Sequence, residues 1–275
     1  MTSPLTVSRA ASLPTISVIT VVRNGKQFVG QTIESVLKQR YANIEYIIID
    51  GGSTDGTVDV IKSHEARIAK WVSEKDEGIA AAFNKGFSFS TGNYLLFLNS
   101  DDALANADII AIVASAIVEN DSPVLLYGDC NYLDRCSGRV LYRSSIDVPH
   151  KKRLLGRIIP QPSLFAHRSY FEKYGLFDLD FKIGMDHEWL LRGQFAERIV
   201  HLPLLVTNVR NGGVSTLNRG RVVDEIVLAL KKNGYISSKW AELKVRGYYF
   251  LRAIAKSVLN NVGLYGAFDH FRNKR

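Results

Sequence analysis

The sequence predicts an α/β fold: a doubly wound, mostly parallel central sheet flanked by helices, followed by a C-terminal helical extension. Short apolar runs alternate four times with amphipathic stretches in the first 102 residues. Most of these runs end in turns rich in Gly, Ser, Asn or Asp. Because parallel strands need a crossover connection, which is usually a helix, this alternation favours βαβ units over hairpins.

The first two strands have clear boundaries. A β-branched run over residues 15–22 ends at a turn, and apolar residues then recur at helical spacing over residues 26–40. Residues 44–50 have the pattern of a second strand that runs into a turn of small residues. Further along, the pattern predicts a helix over 57–70, a short strand over 69–73, a loop at 76–78 and a helix over 79–90.

The fourth strand has the most informative end. Five apolar residues, 94–98, run without a polar break and stop at Asn99, Ser100, Asp101 and Asp102. In open α/β sheets, ligands bind just beyond the carboxyl ends of such strands. Two adjacent carboxylates repel each other unless a cation joins them, and hard oxygen ligands suit Mg²⁺ or Mn²⁺ shared with substrate phosphates. The alternative is that Asp101 and Asp102 cap the following helix.

The middle of the chain is less regular. Residues 124–129 have the pattern of a strand, and residues 139–143 are expected to pair antiparallel with a neighbour. A further strand is predicted over 163–166, helices over 167–174 and 185–197, a flexible break at 212–215 and helices from there to the end.

Carboxylates follow three separate apolar segments. Asp50 ends the second strand, Asp101 and Asp102 end the fourth, and Asp186 lies at the start of a later helix. Since the carboxyl ends of parallel strands meet at one edge, these groups can share one crevice. Asp50 could accept hydrogen bonds from a base or ribose, while a metal ion on Asp101 or Asp102 could neutralise a diphosphate. Asp186 could take the proton of an attacking hydroxyl.

The positive charge is concentrated near the C-terminus. The net charge is +8, and residues 218–275 contain twelve Lys or Arg against four Asp or Glu, an excess of eight. The preceding residues are therefore neutral as a group. The sequence predicts one neutral and one basic region.

Several classes of protein are disfavoured by composition. Cys130 and Cys136 match no metal-ligand spacing and provide no disulfide framework, which favours a reduced, cytoplasmic environment. Residues 1–14 lack the apolar core of a signal peptide and are expected to be flexible. No apolar window is long enough to span a membrane. Nucleic-acid binding is not expected, because no recognised module presents a basic groove with stacking aromatics.

A series of motifs extends over residues 15–215. They read ISVITVVRNG (16–25), IIIDGGSTDGT (47–57), Gly78 with NKG (84–86), LNSDD (98–102), QPSLF (161–165) and DHEWLLR (186–192). In this order they resemble family 2 glycosyltransferases with the Rossmann-like GT-A fold, most closely the bacterial polysaccharide, colanic-acid-type branch. The resemblance implies transfer of a sugar from a nucleotide-diphosphate donor to a hydroxyl, with a divalent metal ion and usually inversion.

The resemblance also implies a division of the chain and roles for its residues. A nucleotide-binding half (15–102) precedes an acceptor half (103–215) and the basic extension (216–275). Asp186 matches the catalytic base, although the family often has Glu at the position of Met185. Asp101 and Asp102 match the metal-binding motif, with either as the inner ligand of Mg²⁺ or Mn²⁺. A UDP- or GDP-sugar donor is expected to contact Val22, Arg23, Asn24, Asp50, Asp76, Asn84, Ser100 and Asp101.

Gln161, His187 and Glu188 are expected on the acceptor side, where the acceptor is a glycan or a lipid-linked saccharide. A structural role is the alternative for His187, and Glu188 could instead hold Arg192 one turn along the helix. Two other functions are considered. One is a sugar-phosphate nucleotidylyltransferase, although the segment after the first strand is too short for its Gly-rich basic loop. The other is a non-catalytic nucleotide-sugar-binding module.

Residues 239–260 have the pattern of an amphipathic helix with an aromatic-rich side and interleaved Lys and Arg. Such a helix suits an anionic membrane surface. Because acceptors in this branch are often lipid-linked, we expect a cytoplasmic protein that binds peripherally at the inner membrane. The alternative is a helix that packs against the domain or a partner subunit.

Overall fold

The computed structural model describes residues 13–145, 159–193, 197–213 and 218–261, and within them nine strands form one mixed sheet with helices on both faces. The predicted α/β fold is confirmed. Residues 1–12 of the segment predicted to be flexible, and residues 262–275 of the extension, lie outside the described residues.

The first half of the sheet is parallel throughout. Strands and helices alternate in it as predicted: β1 (Ile16–Val22), α1 (Lys26–Leu37), β2 (Ile44–Asp50), α2 (Thr57–Lys62), β3 (Lys70–Ser73), α3 (Ile79–Phe89) and β4 (Tyr94–Asn99). β1 lies between β2 and β4, and β2 also pairs with β3. The carboxyl ends of these strands therefore meet at one edge of the sheet.

The second half of the sheet contains antiparallel pairs. Its elements are β5 (Ala103–Leu104), α4 (Ile109–Glu119), β6 (Leu125–Leu133), β7 (Val140–Ser144), β8 (Leu164–His167), α5 (Arg168–Tyr174), α6 (Met185–Gly193) and β9 (Ile199–Arg210). β8 runs antiparallel between β4 and β6, and the predicted antiparallel pairing of β7 with β6 is confirmed. β9 is parallel to β6 and antiparallel to β5.

Successive side chains of β1 enter two different cores, as the two-residue repeat of a strand requires. Ile19 and Val21 pack with the helices α3, α5 and α6 on one face of the sheet. Ile16, Val18 and Val22 pack with α1 and α4 on the other face. Helices thus cover the central strands on both sides, which explains why these strands are apolar along their whole length.

An aromatic cluster fixes α6, the helix that carries Asp186. The ring of Trp189 lies 4.3 Å from that of Phe171 and 4.4 Å from that of Tyr170, measured between ring centroids. Its indole Nε1 donates a hydrogen bond of 3.0 Å to the carbonyl of Gly175. Because Trp189 is almost fully buried and its polar atom is paired, it anchors the start of α6 rather than facing a substrate.

The C-terminal extension is helical in the described residues, as predicted, with α7 (Arg219–Lys232) and α8 (Lys239–Asn261). α7 inserts Ile226, Ala229 and Leu230 into the core beside α6, so this part of the extension is integral to the fold. α8 packs on α7 and leaves a large apolar face exposed. In the part of the chain that is described, we find no helix with the length and apolarity needed to cross a membrane.

Two predicted elements differ in extent from the structure. The helix expected over 57–70 stops at Lys62, and a 3₁₀ turn (Glu65–Arg67) follows, because the chain must become extended at Ile68 to enter β3. The strand expected over 124–129 continues to Leu133. The helix expected over 185–197 is described over Met185–Gly193, and residues 194–196 lie outside the described residues.

Candidate active site

The candidate site lies at the carboxyl-terminal edge of β2, β1 and β4. The strand register places Val22 opposite Asp50 and Val21 opposite Asn99. Because neighbouring strands are about 4.8 Å apart, the Asp50 and Asn99 positions lie about 10 Å from each other across the end of β1. The expectation that these strand ends share an edge is confirmed by this register.

The loop after β1 is bound tightly to the loop after β2. Asn24 adopts a left-handed backbone conformation with φ of 52°, which Asn tolerates better than most residues. Its side-chain Oδ1 accepts a hydrogen bond of 2.9 Å from the N–H of Thr54, and its own N–H donates to Ser53 Oγ at 2.7 Å. Arg23 is exposed at the start of this loop. The two loops therefore form one wall of the site.

Asp50 is fully buried and organises the turn after β2. Its Oδ2 accepts hydrogen bonds from the N–H groups of Gly52 (3.1 Å) and Ser53 (2.9 Å) and from Ser73 Oγ (2.6 Å), while its Oδ1 accepts from Ser53 Oγ. These bonds hold the turn against the end of β3. Direct contact between Asp50 and a nucleotide stays a prediction.

Asp76 lies directly over Gly51, close enough that a Cβ atom at that glycine would clash with its carboxylate. Its Oδ1 accepts a hydrogen bond of 3.0 Å from the N–H of Gly78, which fixes the side chain beside the β2 turn. Asn84 is placed differently. Its Nδ2 donates a hydrogen bond of 2.8 Å to the carbonyl of Phe177, and its Oδ1 accepts one of 2.9 Å from the N–H of Phe177. Its amide thus joins α3 to the segment that leads into α6.

The backbone of the Ser100-Asp101-Asp102 motif is held by α1. The hydroxyl of Thr32 lies 2.8 Å from the carbonyl oxygen of Ser100 and 2.7 Å from that of Asp102. Ser100 also lies beside Gly25, where a Cβ atom would approach its hydroxyl to 3.1 Å. The motif therefore abuts the loop after β1 and is rigidly placed.

The two carboxylates of the motif have different surroundings. Asp101 is partly exposed and accepts a hydrogen bond of 2.7 Å from Arg135 Nη1. Asp102 is buried, with hydrogen bonds from Asn99 Nδ2 (3.0 Å) and from the N–H of Arg210 (3.3 Å). Burial raises the pKa of Asp102 to about 8, and the neighbouring charge of Asp101 adds to the rise.

This pair of carboxylates fits a divalent cation. A buried carboxylate beside a second one is destabilised in its charged form, and a bound cation removes that repulsion. In the described segments, no cluster of three or more His, Cys, Asp or Glu side chains could hold an ion by itself. An ion at Asp101 and Asp102 would complete its shell with water and substrate phosphate, which is the usual mode for Mg²⁺.

Two arginines that the sequence analysis does not identify lie next to this motif. The guanidinium of Arg135 is 4.8 Å from the ring centroid of Phe28, and that of Arg210 is 4.5 Å from the same ring. Arg210 also donates to Gln31 Oε1 at 2.6 Å. Guanidinium groups suit phosphate oxygens, so both arginines are candidates for contact with a diphosphate. Neither follows a recognisable motif, and only the fold brings them here.

Asp186 lies in the first turn of α6 and is partly exposed. Its Oδ1 accepts a hydrogen bond of 2.8 Å from the N–H of His187. Burial raises the pKa of Asp186 to about 6, and the charge of Glu225 adds to the rise. A carboxylate whose pKa approaches neutrality is better matched to proton abstraction than one with an ordinary pKa.

Tyr132 on β6 is influenced by the charges of both the Ser100-Asp101-Asp102 motif and α6. Burial raises the pKa of Tyr132 well above its usual value. Cys130 and Tyr142 add to the rise, as do the charges of both Asp102 and Asp186. The charges of both carboxylates therefore act on the Tyr132 side chain. Because β6 runs longer than expected, the sequence pattern does not reveal this residue.

Two buried side chains within residues 103–215, the predicted acceptor half, carry nitrogen atoms that have no hydrogen-bond partner among the described residues. They are Gln161 Nε2 and His187 Nε2. Burial lowers the pKa of His187 to about 4, so its imidazole is neutral and Nε2 can donate or accept. Since buried polar atoms are almost always paired, both are candidates for contact with substrate hydroxyls.

Glu188 is fully buried and bonds within the protein. It forms an ion pair with Arg192 one turn along α6, and the ammonium of Lys232 lies 3.5 Å away. Asn233 Nδ2 also donates to it at 3.3 Å. These contacts join α6 to α7. They include the pairing with Arg192 that is the alternative to an acceptor role, and contact of Glu188 with an acceptor stays a prediction.

The chain is similar in sequence to known glycosyltransferases. The sequence profile described as Glycosyl transferase family 2 matches residues 17–157. An uncharacterised glycosyltransferase of Mycobacterium tuberculosis is 37% identical over 183 residues, which cover 66% of this chain and 69% of that relative.

The fold is similar to two solved structures. S. aureus TarS 1–349 in complex with UDP gives a TM-score of 0.62 at 17% identity, over 88% of this chain and 72% of the TarS chain. Mannosyltransferase PcManGT from Pyrobaculum calidifontis, in complex with GDP-Man and Mn²⁺, gives a TM-score of 0.61 at 18% identity, over 86% of this chain and 69% of the PcManGT chain. This chain spans 43% of a second TarS chain. At these identities the likeness shows the fold alone, which is the GT-A type expected from the sequence.

Proposed function

The chain belongs to glycosyl transferase family 2 and is a nucleotide-sugar-dependent glycosyltransferase, and we propose that it is an inverting enzyme with Asp186 as its general base. The observation that carries this proposal is the position of Asp186. It begins a helix on the acceptor half, has a raised pKa, and shares Tyr132 as an electrostatic neighbour with Asp102 of the metal motif.

The proposed reaction is a single displacement at the anomeric carbon. Asp186 takes the proton of the acceptor hydroxyl while the acceptor oxygen forms its bond to that carbon. The bond from the anomeric carbon to the diphosphate oxygen breaks, and the nucleoside diphosphate leaves with the bonding electron pair. Mg²⁺ or Mn²⁺ on Asp101 and Asp102 supplies positive charge for the departing diphosphate. Arg135 and Arg210 provide further positive charge beside the same motif.

The proposed donor is a UDP- or GDP-sugar bound at the edge formed by β2, β1 and β4. UDP in TarS and GDP-Man with Mn²⁺ in PcManGT support this choice, since both proteins share the fold. We assign the base and ribose to the wall formed by the loops after β1 and β2, with Asp76 beside Gly51. The diphosphate then lies toward Ser100 and the two carboxylates.

The proposed acceptor is a glycan or a lipid-linked saccharide in bacterial surface polysaccharide synthesis, the colanic-acid-type branch that the motifs resemble. Gln161 Nε2 and His187 Nε2 support an acceptor rich in hydroxyl groups, because both are buried nitrogens without a partner among the described residues. The family assignment favours transfer over the nucleotidylyltransferase alternative. It leaves the non-catalytic binding module to be tested by experiment.

Membrane binding by α8 is also proposed, and the surface of this helix supports it. Trp240, Leu243, Phe250, Leu251, Ile254 and Val258 are exposed. At 100° per residue they fall within one face of the helix, opposite the side that packs on the protein through Val245 and Tyr249. The excess of eight positive charges in residues 218–275 supports an anionic lipid surface at the cytoplasmic side of the inner membrane as the partner of this face.

Replacement of the proposed base separates catalysis from binding. The Asp186→Asn variant should lose about 10²- to 10⁴-fold in transfer rate, the usual contribution of a general base. Its affinity for the nucleotide should stay unchanged, because Asp186 lies on the acceptor half. The donor is first chosen by thermal shift against UDP-, GDP- and dTDP-sugars with and without Mn²⁺.

The matched control is Asp180→Asn, which removes an exposed carboxylate six residues earlier. It should transfer sugar at the wild-type rate. Transfer at the wild-type rate by Asp186→Asn would refute the base assignment. Nucleotide binding without any transfer by the wild-type chain, across a panel of glycan acceptors, would favour the binding-module alternative.

A further inference from the structure

The segment that leads into α6 is held by a carboxylate from the C-terminal extension. Glu225, in the second turn of α7, is almost fully buried. Its Oε2 accepts hydrogen bonds from the N–H groups of Ile183 (2.9 Å) and Gly184 (2.8 Å), and its Oε1 accepts from the N–H of Lys182 (3.2 Å). Three successive backbone donors thus converge on one side chain.

These donors lie at the start of the helix that carries the proposed base. Gly184 is the N-cap residue of α6, because its carbonyl accepts the first helical hydrogen bond, from the N–H of Glu188 at 3.0 Å. Asp186 follows two residues later. A negative charge at a helix N-terminus is favourable, and the three bonds also fix the direction in which the chain enters the helix.

The Glu225 carboxylate is itself supported. Arg221 Nε, one turn earlier on α7, donates to Oε1 at 3.0 Å. Burial acts to raise the pKa of Glu225, but the hydrogen bonds from Gly184, Ile183 and Arg221 outweigh burial and hold it below the ordinary value. Glu225 is therefore charged at neutral pH. α7 is anchored in turn by the buried residues Ile226, Ala229 and Leu230.

We propose that Glu225 is a positioning residue for the transfer reaction, which holds the segment 182–184 so that Asp186 faces the acceptor hydroxyl. This inference rests on the proposed function of Asp186 and adds to it. It assigns a catalytic purpose to α7, which lies outside residues 17–157 of the family match. The C-terminal extension then contributes to chemistry as well as to surface binding.

Electrostatics gives this role a signature that a purely structural contact would not have. Among the described residues, the charge of Glu225 from α7 raises the pKa of Asp186, and the charge of Asp186 in turn raises the pKa of Tyr132 on β6. Because Tyr132 is neutral over the working pH range, Glu225 is the charged neighbour. Loss of its charge should lower the pKa of Asp186 and move the acid limb of the rate profile to lower pH.

The test uses Glu225→Gln in the full chain. Turnover is measured as nucleoside diphosphate release from the nucleotide-sugar selected by thermal shift, over a range of pH. Loss of the fixed segment should reduce kcat about tenfold to a hundredfold with little change in the donor KM, since small displacements of a catalytic group have effects of this size. Amide hydrogen exchange over residues 182–184 should accelerate, a readout that needs no substrate.

Two further variants make the result unambiguous. Asp224→Asn removes the same charge from the adjacent position of α7, where the side chain is exposed and pairs with Arg246, and should behave as wild type. Glu225→Asp keeps the charge but shortens the side chain. It should reduce kcat and leave the acid limb in place, and it replaces Glu225→Gln as the test if that variant fails to fold.

The outcomes separate this inference from the proposed function. If Glu225→Gln keeps the wild-type kcat and acid limb while Asp186→Asn is inactive, the positioning role is wrong and the base assignment stands. If kcat falls but the acid limb and the exchange of residues 182–184 do not move, the role of Glu225 is general stability and the inference is overturned. If Asp186→Asn is active, the base assignment itself fails.

Discussion

At the scale of single residues, the candidate site contains two carboxyl groups whose pKa values are raised for related reasons. Burial raises the pKa of Asp186 to about 6 and that of Asp102 to about 8, and a nearby carboxylate adds to each rise. The consequences differ because the proposed roles differ. A base must lose its proton before it can act, whereas a metal ligand exchanges its proton for a cation.

The raised pKa of Asp186 predicts how the rate depends on pH. The base is active only when deprotonated, so kcat should be constant above about pH 7 and fall about tenfold per pH unit below about pH 6. An acid with an ordinary pKa near 4 would keep full activity at pH 5. A rate profile that is flat down to pH 5 would contradict the assignment.

The raised pKa of Asp102 predicts a pH-dependent effect of metal on stability. The folded protein binds this proton more tightly than the unfolded chain, so its stabilising contribution is present below about pH 4 and is lost as the pH rises through about 8. A divalent ion that replaces the proton should restore this stabilising contribution. Mn²⁺ should therefore raise the Tm more at about pH 8 than at about pH 6, as measured by calorimetry.

Asp102→Asn provides the control for this experiment. The neutral amide has no proton to exchange and is a poor ligand for the ion, so the increment produced by Mn²⁺ should become small at both pH values. An equal Tm increment in the wild-type chain at about pH 6 and about pH 8 would show that Asp102 is not the group whose proton the ion displaces.

At the scale of elements, what the sequence predicts depends on how local its signal is. The strands that end at Asp50 and Asn99 are predictable because uninterrupted apolar runs stop at polar turns. α4 is anticipated only as the helix that Asp101 and Asp102 would cap in the alternative interpretation, and its extent is not predicted because it is apolar on nearly all sides and lacks a clear helical repeat. The extension of β6 to Leu133 is likewise not visible, since Gly128 and Asp129 interrupt the apolar run and the residues beyond them are held by pairing with β7 and β9.

The candidate site residues, too, are predictable only where the sequence signal is local. Asp101, Asp102 and Asp186 stand in recognisable motifs, whereas Arg210 reaches the motif through a contact that spans 108 residues. Glu225 acts on backbone N–H groups about forty residues earlier, and backbone donors carry no sequence signature. Residues that act through such contacts can be identified only after the chain is folded.

Two glycines in helices give a test of packing between elements. Gly86 on α3 faces β1, and a Cβ atom at this position would clash with the buried side chain of Ile19. Gly86→Ala should destabilise the protein by about 1–3 kcal/mol, since over-packing outweighs the better helix propensity of Ala. Gly247 on α8 has open space around it, so Gly247→Ala should instead stabilise the helix by up to about 1 kcal/mol.

Urea unfolding of the two variants measures both effects. Opposite signs are expected, with the midpoint lowered for Gly86→Ala and unchanged or raised for Gly247→Ala. If both variants were stabilised, α3 would not lie as close to β1 as the structure shows.

At the scale of the whole molecule, the chain joins residues 1–217, which carry no net charge, to a basic helical region through α7. α7 contributes to the core beside α6, holds the segment before Asp186 through Glu225, and supports α8 through pairs such as Arg246 with Asp224. Deleting the extension from α7 onward would therefore disturb the site as well as the surface. The membrane proposal needs a test that leaves α7 intact.

Point substitutions on α8 provide that test. Phe250 and Leu251 are exposed by 66% and 67%, so the double variant Phe250→Ser, Leu251→Ser leaves the fold intact. It should lose about 2 kcal/mol or more of interfacial binding, which is over tenfold in partitioning. The exposed pair Leu176 and Leu179 is the control, because its double Ser variant removes exposed apolar surface away from α8.

Flotation with vesicles of phosphatidylglycerol and phosphatidylcholine measures the partitioning. The wild-type chain and the Leu176, Leu179 variant should float, the Phe250, Leu251 variant should stay in solution, and raised salt should release the wild type because the attraction is partly electrostatic. Vesicles of phosphatidylcholine alone should bind weakly. If the wild-type chain ignores the anionic vesicles, the exposed face of α8 has another partner, and the acceptor need not be presented at a membrane.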